Sequence, residues 1–215
     1  MRALLVAKRS AREARIKAIT QIRHLSFTAP DELRARLKAL SCDTLAEQTA
    51  SMRPRAQAGS VMFAHKLALS SLGGRVQALD DEIARIDDVL ADLVANTAPS
   101  LLDIYGVGVD TAASLLVVVG DNPQRIRSEA AFANLCGVSP IEASSGKVTR
   151  HRLNRGGNRQ ANQALWRIVM TRMAFDPRTR DYVDRRTKEG RSKREIIRVL
   201  KRYVAREVYR HLIHS

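Results

Sequence analysis

Two adjacent serines, Ser144 and Ser145, are followed by Gly146 and then by a dense set of basic side chains. The basic residues of this set are Lys147, Arg150, Arg152, Arg155 and Arg159. A serine hydroxyl attacks phosphorus when its proton is removed and cations or donors stabilise the negative charge of the transition state. The pattern therefore indicates phosphate chemistry in a serine loop over residues 137–158. A second interpretation stays open from the residues alone, in which Ser-Ser-Gly is an ordinary surface turn.

The charge of the chain favours polyanionic partners. Its 215 residues carry a formal net charge of +15, and the isoelectric point is about 10.8. The charge is unevenly placed, with +7 in residues 1–60, −5 in residues 61–140 and +13 in residues 141–215. A field of this sign and size favours nucleic acid as the first candidate partner, with DNA expected. The aromatic content of 4% argues against an RNA-binding sheet that stacks bases.

Several other classes of protein are disfavoured. Cys42 and Cys136 lie far apart and lack histidines at metal-ligand spacing, which predicts neither a disulfide framework nor a zinc site. The acidic run 80–82 and the aspartates after it are interpreted as a solvated helix face, so we expect no cofactor in this chain. No apolar run approaches the roughly 20 residues of a membrane span, which predicts a cytoplasmic protein, nucleoid-associated when bound to DNA.

Residues 1–98 are predicted to form basic helices and a coiled coil. Apolar residues spaced three and four apart form an unbroken a/d seam within residues 61–94. This seam consists of Leu69, Leu72, Val76, Leu79, Ile83, Ile86, Leu90 and Leu93. Gly73 and Gly74 interrupt the helix at outer positions, at about 1 kcal/mol each. We expect a homo-oligomer through residues 61–94, and the alternative is an intramolecular hairpin packed against residues 1–25.

The segment 101–118 has the pattern of a helix-hairpin-helix motif. Gly106 and Gly108 separate two apolar stretches, and in such a motif the glycines allow backbone N–H groups to reach a phosphate at a helix N-terminus. The alternative is a tight turn in which the glycines serve only the bend.

Basic helices are predicted over residues 159–213. Five arginines of the last helix recur every four residues, namely Arg194, Arg198, Arg202, Arg206 and Arg210. Like charges at this spacing repel by roughly 0.2–0.5 kcal/mol per pair, so a stripe that binds phosphates is favoured over a solvated face. Trp166, on an earlier helix, is predicted to lie in the core, and the alternative is a platform on which a base stacks.

Helix boundaries follow from capping residues. Thr28 and Asp43 are predicted N-caps of two short helices, and Asn158 is predicted to cap the helix after the serine loop. Ser192 and Glu195 have the spacing of a capping box for the last helix. The complete pattern predicts an all-α protein, with a long coiled coil or helical hairpin in residues 1–98 and a compact helical domain in residues 99–215.

Four motifs together carry a resemblance to a known family. They are the Gly106–Gly108 turn with its apolar helix, the segment 135–140, the segment 144–147 and the segment 153–159. In this order they resemble the C-terminal domain of the insertion-sequence one-ten transposases, a DEDD-type group similar to the Piv invertases. The resemblance is close over residues 100–175.

The resemblance implies that different parts of the protein have different roles. In such proteins an N-terminal RNase H-like domain binds Mg²⁺ through four acidic residues, a coiled coil joins the protomers, and a serine becomes linked to the 5′ phosphate of cut DNA. The nucleophile maps onto Ser145, with Ser144 as the second choice, and a structured RNA guides target choice.

The acidic domain has no counterpart in this sequence, which predicts a truncated transposase-derived protein that is inactive alone, with Mg²⁺ held by the absent domain. Two alternatives are a non-catalytic, sequence-tolerant nucleic-acid-binding dimer and a purely structural coiled-coil protein.

Overall fold

The computed structural model describes residues 1–55, 57–120, 122–142, 151–152, 154 and 156–213. Within these ranges the protein is all-α, as predicted, with one short β-ribbon in addition. The chain divides into two compact units. We call residues 3–88 the N-terminal unit and residues 89–215, with the first two residues, the C-terminal unit.

The N-terminal unit is built from the first helices of the chain. These are α1 (Arg2–Thr28), α2 (Asp31–Leu37), α3 (Cys42–Ala50) and the first part of α4 (Val61–Thr97). Their apolar faces share one core, in which Ile22, Leu33 and Leu69 are almost completely buried. The unit boundary falls inside α4, at residues 88 and 89.

Ion pairs join α1 to α4. Lys8 pairs with Asp87, and Arg15 pairs with Asp80. Since the lower residue number on α1 meets the higher one on α4, the two helices run antiparallel. Asp80 is exposed and Asp87 is half-buried, so both lie at the surface, as predicted, and each also pairs with a basic side chain of α1.

The predicted a/d seam lies on α4 and is only partly covered. Leu69, Val76 and Leu90 are buried, while Leu79 and Ile83 are half-buried. The antiparallel packing of α1 on α4 corresponds to the intramolecular alternative raised by the sequence. Oligomerisation through residues 61–94 stays a prediction.

Glycine is required at position 73 by a contact between helices, which its position in the heptad did not indicate. A Cβ at Gly73 would lie 2.3 Å from the backbone nitrogen of Ala50 and 2.7 Å from the Thr49 hydroxyl, so the end of α3 rests on this glycine. Gly74 has nothing within 4 Å of the same position. Close approach of two helices therefore requires Gly73 alone.

The C-terminal unit is organised around a central helix. Its elements are a 3-10 helix at Pro99–Leu101, α5 (Val109–Val119), a 3-10 helix at Pro123–Arg125, α6 (Glu129–Leu135), β1 (Ile141–Glu142), β2 (His151–Arg152), α7 (Arg159–Phe175), α8 (Pro177–Lys188) and α9 (Lys193–Ile213). The central helix is α7, which packs against α5, α8 and α9, while α6 packs on α9. Leu115, Phe132, Leu165, Ile168 and Ile196 fill the core between them.

Two of the four predicted caps are confirmed. The Asn158 side chain accepts from the backbone N–H groups of Gln160 and Ala161, at 2.8 and 3.1 Å. Ser192 and Glu195 bond each other's backbone N–H groups, which completes the capping box.

The other two cap predictions are wrong. Thr28 is the last residue of α1, and its hydroxyl donates back to the carbonyl of His24. The cap of α3 is Ser41, which accepts from the backbone N–H of Thr44, whereas Asp43 lies in the first turn and pairs with Arg15 at 3.2 Å.

Candidate functional site

The segment that carries the two serines is bracketed by a β-ribbon. Strand β1 precedes it and strand β2 follows it, and the two pair antiparallel with Ile141 opposite Arg152 and Glu142 opposite His151. The residues on either side of the segment, Glu142 and His151, therefore lie opposite each other. Five predicted site residues lie outside the described residues: Ser144, Ser145, Lys147, Arg150 and Arg155. Arg152 belongs to β2 through its backbone.

Two chain segments that flank the ribbon in the sequence pack backbone against backbone. A Cβ at Gly157 would lie 2.6 Å from the backbone nitrogen of Gly137 and 2.9 Å from the carbonyl oxygen of Asn134. A Cβ at Gly137 would lie 2.7 Å from the carbonyl oxygen of Gly156. Both Gly137 and Gly157 also have positive φ, at +65° and +99°, which side chains disfavour. We call this contact of residues 134–137 with residues 154–158 the glycine junction.

Hydrogen bonds fix the glycine junction. The backbone N–H of Asn158 donates to the carbonyl of Leu135 at 2.7 Å. The Asn154 amide nitrogen donates to the Asn134 side-chain oxygen at 3.0 Å, and the Asn154 oxygen accepts from the Gly156 N–H at 2.9 Å. The junction therefore sets the position at which α7 begins.

A cleft of about 350 Å³ lies between the glycine junction and α7. One wall is the junction itself, and the other is a single face of α7. The lining residues of α7 recur at helical spacing, at Arg159, Asn162, Gln163 and Trp166. Arg159 is exposed at this cleft. Of the five basic residues predicted to bind phosphate beside the two serines, it is the one whose side chain is described.

A buried cation holds the side chain of Asn162, one of the residues that line the cleft. Lys201 on α9 is only 8% exposed, and its ammonium group donates to the side-chain oxygen of Asn162 at 2.9 Å. The amide nitrogen of Asn162 donates in turn to the carbonyls of Cys136 and Gly137, at 2.9 and 3.2 Å. Burial lowers the pKa of Lys201 below its ordinary value, because the charged form loses solvation. Lys201 thus links α9 to both walls of the cleft.

Cys136 lines the cleft but is not suited to be a nucleophile. Its side chain is completely buried, and burial raises the pKa of the thiol to about 12. The thiolate is the reactive form of cysteine, so a thiol of this kind is inert at neutral pH.

Trp166 is not in the core, and the prediction that placed it there is wrong. The side chain is 44% exposed and lines the cleft beside Gln163. The inner face of α7 is formed by other residues, among them Leu165 and Ile168. Trp166 lies one position away from this face, where helical spacing turns it toward the cleft.

Comparison with known proteins assigns this region to a family. Residues 98–184 match the family described as Transposase IS116/IS110/IS902. Residues 98–184 belong to this transposase family. A protein of 43.6 kDa from insertion element IS110 of Streptomyces coelicolor is 38% identical over 96 residues, which cover 44% of this chain and 24% of that protein. A 42 kDa protein from insertion element IS900 of Mycobacterium paratuberculosis is 28% identical over 193 residues, which cover 82% of this chain and 48% of that protein.

The transposase domain therefore contains the ribbon, the glycine junction, the cleft and α7. The chain spans about a quarter of the length of the IS110 relative and about half of the IS900 relative. The N-terminal unit lies outside the matched residues 98–184.

The predicted helix-hairpin-helix motif is incomplete in the transposase domain. The residues before Gly106 form one short 3-10 helix and turns, so the first α-helix of the motif is not present there. Gly108 caps α5, and its N–H donates to the Thr111 hydroxyl at 3.0 Å. Gly106 has a φ of +83°, and a Cβ there would lie 3.3 Å from the carbonyl oxygen of Ile168 on α7. The glycines thus serve the turn and its packing, and a contact of Gly106 or Gly108 with DNA stays a prediction.

Arg172 anchors the same turn, and no motif in the sequence predicted this contact. Its Nε donates to the carbonyl of Tyr105 at 2.8 Å, and its Nη1 pairs with Glu207 on α9 at 2.8 Å. One side chain of α7 therefore joins the turn before α5 to α9.

The five arginines of α9 do not form one continuous stripe. A four-residue step advances about 40° around a helix beyond one full turn, so the set winds around α9. Arg194, Arg198, Arg206 and Arg210 are exposed, whereas Arg202 is half-buried. Arg202 forms an ion pair with Glu129 of α6, and the Nε of Arg206 lies 4.0 Å from the same carboxylate. Glu129 therefore offsets the repulsion between neighbouring arginines.

In the part of the chain that the structure describes, no three His, Cys, Asp or Glu side chains gather where they could ligate a metal ion. Among the described helices, none combines the length and apolar character that a membrane crossing requires.

Proposed function

We propose that this chain acts on DNA in the transposition of an insertion element, with Ser145 as the attacking group. The observation that carries the proposal is the extent of the family match. Residues 98–184 include the whole serine segment together with the ribbon and the residues that line the cleft. Ser144 is the second choice of nucleophile.

The proposed reaction is a transesterification. The Ser145 oxygen forms a bond to phosphorus, and the bond between phosphorus and the 3′ oxygen breaks. The serine proton is lost, and the departing 3′ oxygen gains a proton and becomes a hydroxyl group. The DNA strand then remains joined to the protein through its 5′ phosphate. One phosphoester replaces another, so the step needs no external energy source.

The described residues of the cleft would hold the DNA backbone near this serine. Arg159 is exposed at the first position of α7, where the positive end of the helix dipole also lies. Lys201 adds a second positive charge behind Asn162, in a place where solvent screens it little. Both charges favour a phosphate over a neutral group.

A covalent adduct tests the proposal. The chain, alone and supplemented with the N-terminal half of an insertion-element relative, is incubated with a duplex oligonucleotide carrying an element end. A denaturation-resistant protein–DNA species is expected with wild type and with Ser144→Ala, and not with Ser145→Ala. Absence of the adduct under every condition would reject catalysis by this chain.

A second candidate is nucleic-acid binding without catalysis. It is favoured by the exposed basic residues of α8 and α9, including Arg185, Lys188, Arg194 and Arg198. Affinity for duplex DNA should then fall with salt, with a log–log slope of roughly −0.9 per phosphate contact. Neither serine substitution should change that slope. The same titration with a structured RNA tests whether RNA is a further partner.

Dimerisation through α4 is the remaining part of the proposal. The half-buried Leu79, Ile83 and Ile86 leave apolar surface on this helix that a second copy would cover. Sedimentation at micromolar concentration should give twice the mass of 23.9 kDa. A monomer at all concentrations would reject this part of the proposal.

A further inference from the structure

Trp166 is a large apolar side chain in an unusual place. It is the only tryptophan of the chain, and 44% of it is exposed although it belongs to the central helix of its unit. Tryptophan is usually well buried, because its ring buries a large apolar area. Within the described residues the indole is stacked on no other aromatic ring.

The groups around Trp166 differ in their availability. Asn162 is already committed, because its amide bonds Lys201, Cys136 and Gly137. Gln163, one helical turn from Trp166, is exposed at the cleft, and its side-chain amide forms no hydrogen bond with the described residues. Its amide offers both a donor and an acceptor.

Arg159 lies at the other end of the same face. Seven residues separate it from Trp166, which is about 10 Å along the helix. The α7 face of the cleft therefore offers an aromatic plane, an uncommitted amide and a cation, in this order. A ligand that matches all three has a flat ring, hydrogen-bonding groups at its edge and an anionic group at some distance. A nucleotide has these properties.

We propose that the cleft binds an unpaired nucleobase of DNA, which stacks on Trp166 while Gln163 bonds its edge and Arg159 holds a phosphate. A base within an intact duplex is stacked on both sides, so the base must first leave the helix. The volume of about 350 Å³ suits one nucleotide and not a duplex. This inference rests on the proposed nucleic-acid function and adds the site and the form of the ligand.

Trp166 itself reports on the test, since no other tryptophan contributes to the fluorescence of the chain. Titration with a single-stranded oligonucleotide should quench this fluorescence to saturation, whereas a fully paired duplex should bind with little quenching. Trp166→Ala should weaken binding of the single strand roughly 5- to 100-fold. It should change duplex affinity, measured by fluorescence anisotropy of labelled DNA, less than twofold.

Two variants serve as controls. Trp166→Phe keeps an aromatic plane and should retain most of the affinity for the single strand. Phe175→Ala removes another exposed aromatic side chain of α7, one that does not line the cleft, and should leave affinity unchanged.

The outcomes separate this inference from the proposed function. Binding of single strands without quenching, or equal losses for single-stranded and duplex DNA in Trp166→Ala, would overturn the base-stacking site alone. Equal quenching by a mononucleotide at the same base concentration, or tighter binding of RNA of the same sequence, would overturn DNA as the source of the base. If wild type binds no nucleic acid at low salt, the proposed function fails as well.

Discussion

Replacing Gly157 by alanine should destabilise the C-terminal unit by about 2–5 kcal/mol. Two effects contribute. A residue with a side chain at a φ of +99° costs roughly 1–2 kcal/mol. The new methyl group would also lie 2.6–2.9 Å from backbone atoms of Gly137 and Asn134, and overpacking of this kind costs about 1–3 kcal/mol.

Gly190→Ala separates the two effects. Gly190 follows the end of α8 with a φ of +80°, close to that of Gly157, but a Cβ there meets no atom within 4 Å. This variant should therefore show only the conformational cost, about 1–2 kcal/mol, less a few tenths because alanine restricts the unfolded chain.

Urea unfolding followed by Trp166 fluorescence measures both variants, because this side chain lies on α7 of the C-terminal unit. The free energy of unfolding in water comes from linear extrapolation, with wild type as the reference. If Gly157→Ala and Gly190→Ala destabilise the unit equally, within about 0.5 kcal/mol, the close backbone contact at the glycine junction does not constrain residue 157.

Further predictions concern other contacts. In the N-terminal unit, Gly74→Ala should raise the melting temperature measured by circular dichroism, because alanine favours a helix over glycine by about 1 kcal/mol. Gly73→Ala should lower the melting temperature, because the new methyl group would contact α3. A rise for both variants would contradict this. Burial lowers the pKa of Lys201 in the folded state below its ordinary value of 10.5. At a pH between the folded-state pKa and 10.5 the unfolded state therefore binds more protons than the folded state. The free energy of unfolding should rise with pH in this interval. Lys201→Met should remove this rise, and parallel stability curves for the two proteins from pH 7 to 10.5 would refute it. Glu129→Gln should destabilise the C-terminal unit by roughly 1–3 kcal/mol, and a double-mutant cycle with Arg202→Met should give a favourable coupling energy; zero coupling would contradict the ion pair.

Local signals in the sequence predicted much of the fold. Asn158 and the Ser192–Glu195 box were found because a cap depends on residues only two or three positions apart. The prediction that Thr28 caps a helix was wrong for the same local reason. A threonine can end one helix, by donating to a carbonyl four residues before it, as well as start the next.

Contacts between distant residues could not be predicted in this way. Arg202 and Glu129 are 73 residues apart, and Lys201 lies 39 residues from Asn162. Nothing in the repeat of basic residues on α9 distinguishes Lys201, which is buried, from Arg198, which is exposed. The cleft is missed for the same reason, because one of its walls comes from residues before the serine segment and the other from residues after it.

The pairing of β1 with β2 has a consequence for how this domain can vary. The eight residues between the strands, 143–150, join Glu142 to His151, and these two residues lie opposite each other in the ribbon. Loop-closure entropy changes by only about 0.6 kcal/mol when a flexible loop doubles in length. A doubling of the number of residues between Glu142 and His151 should therefore weaken the closure of this ribbon only slightly.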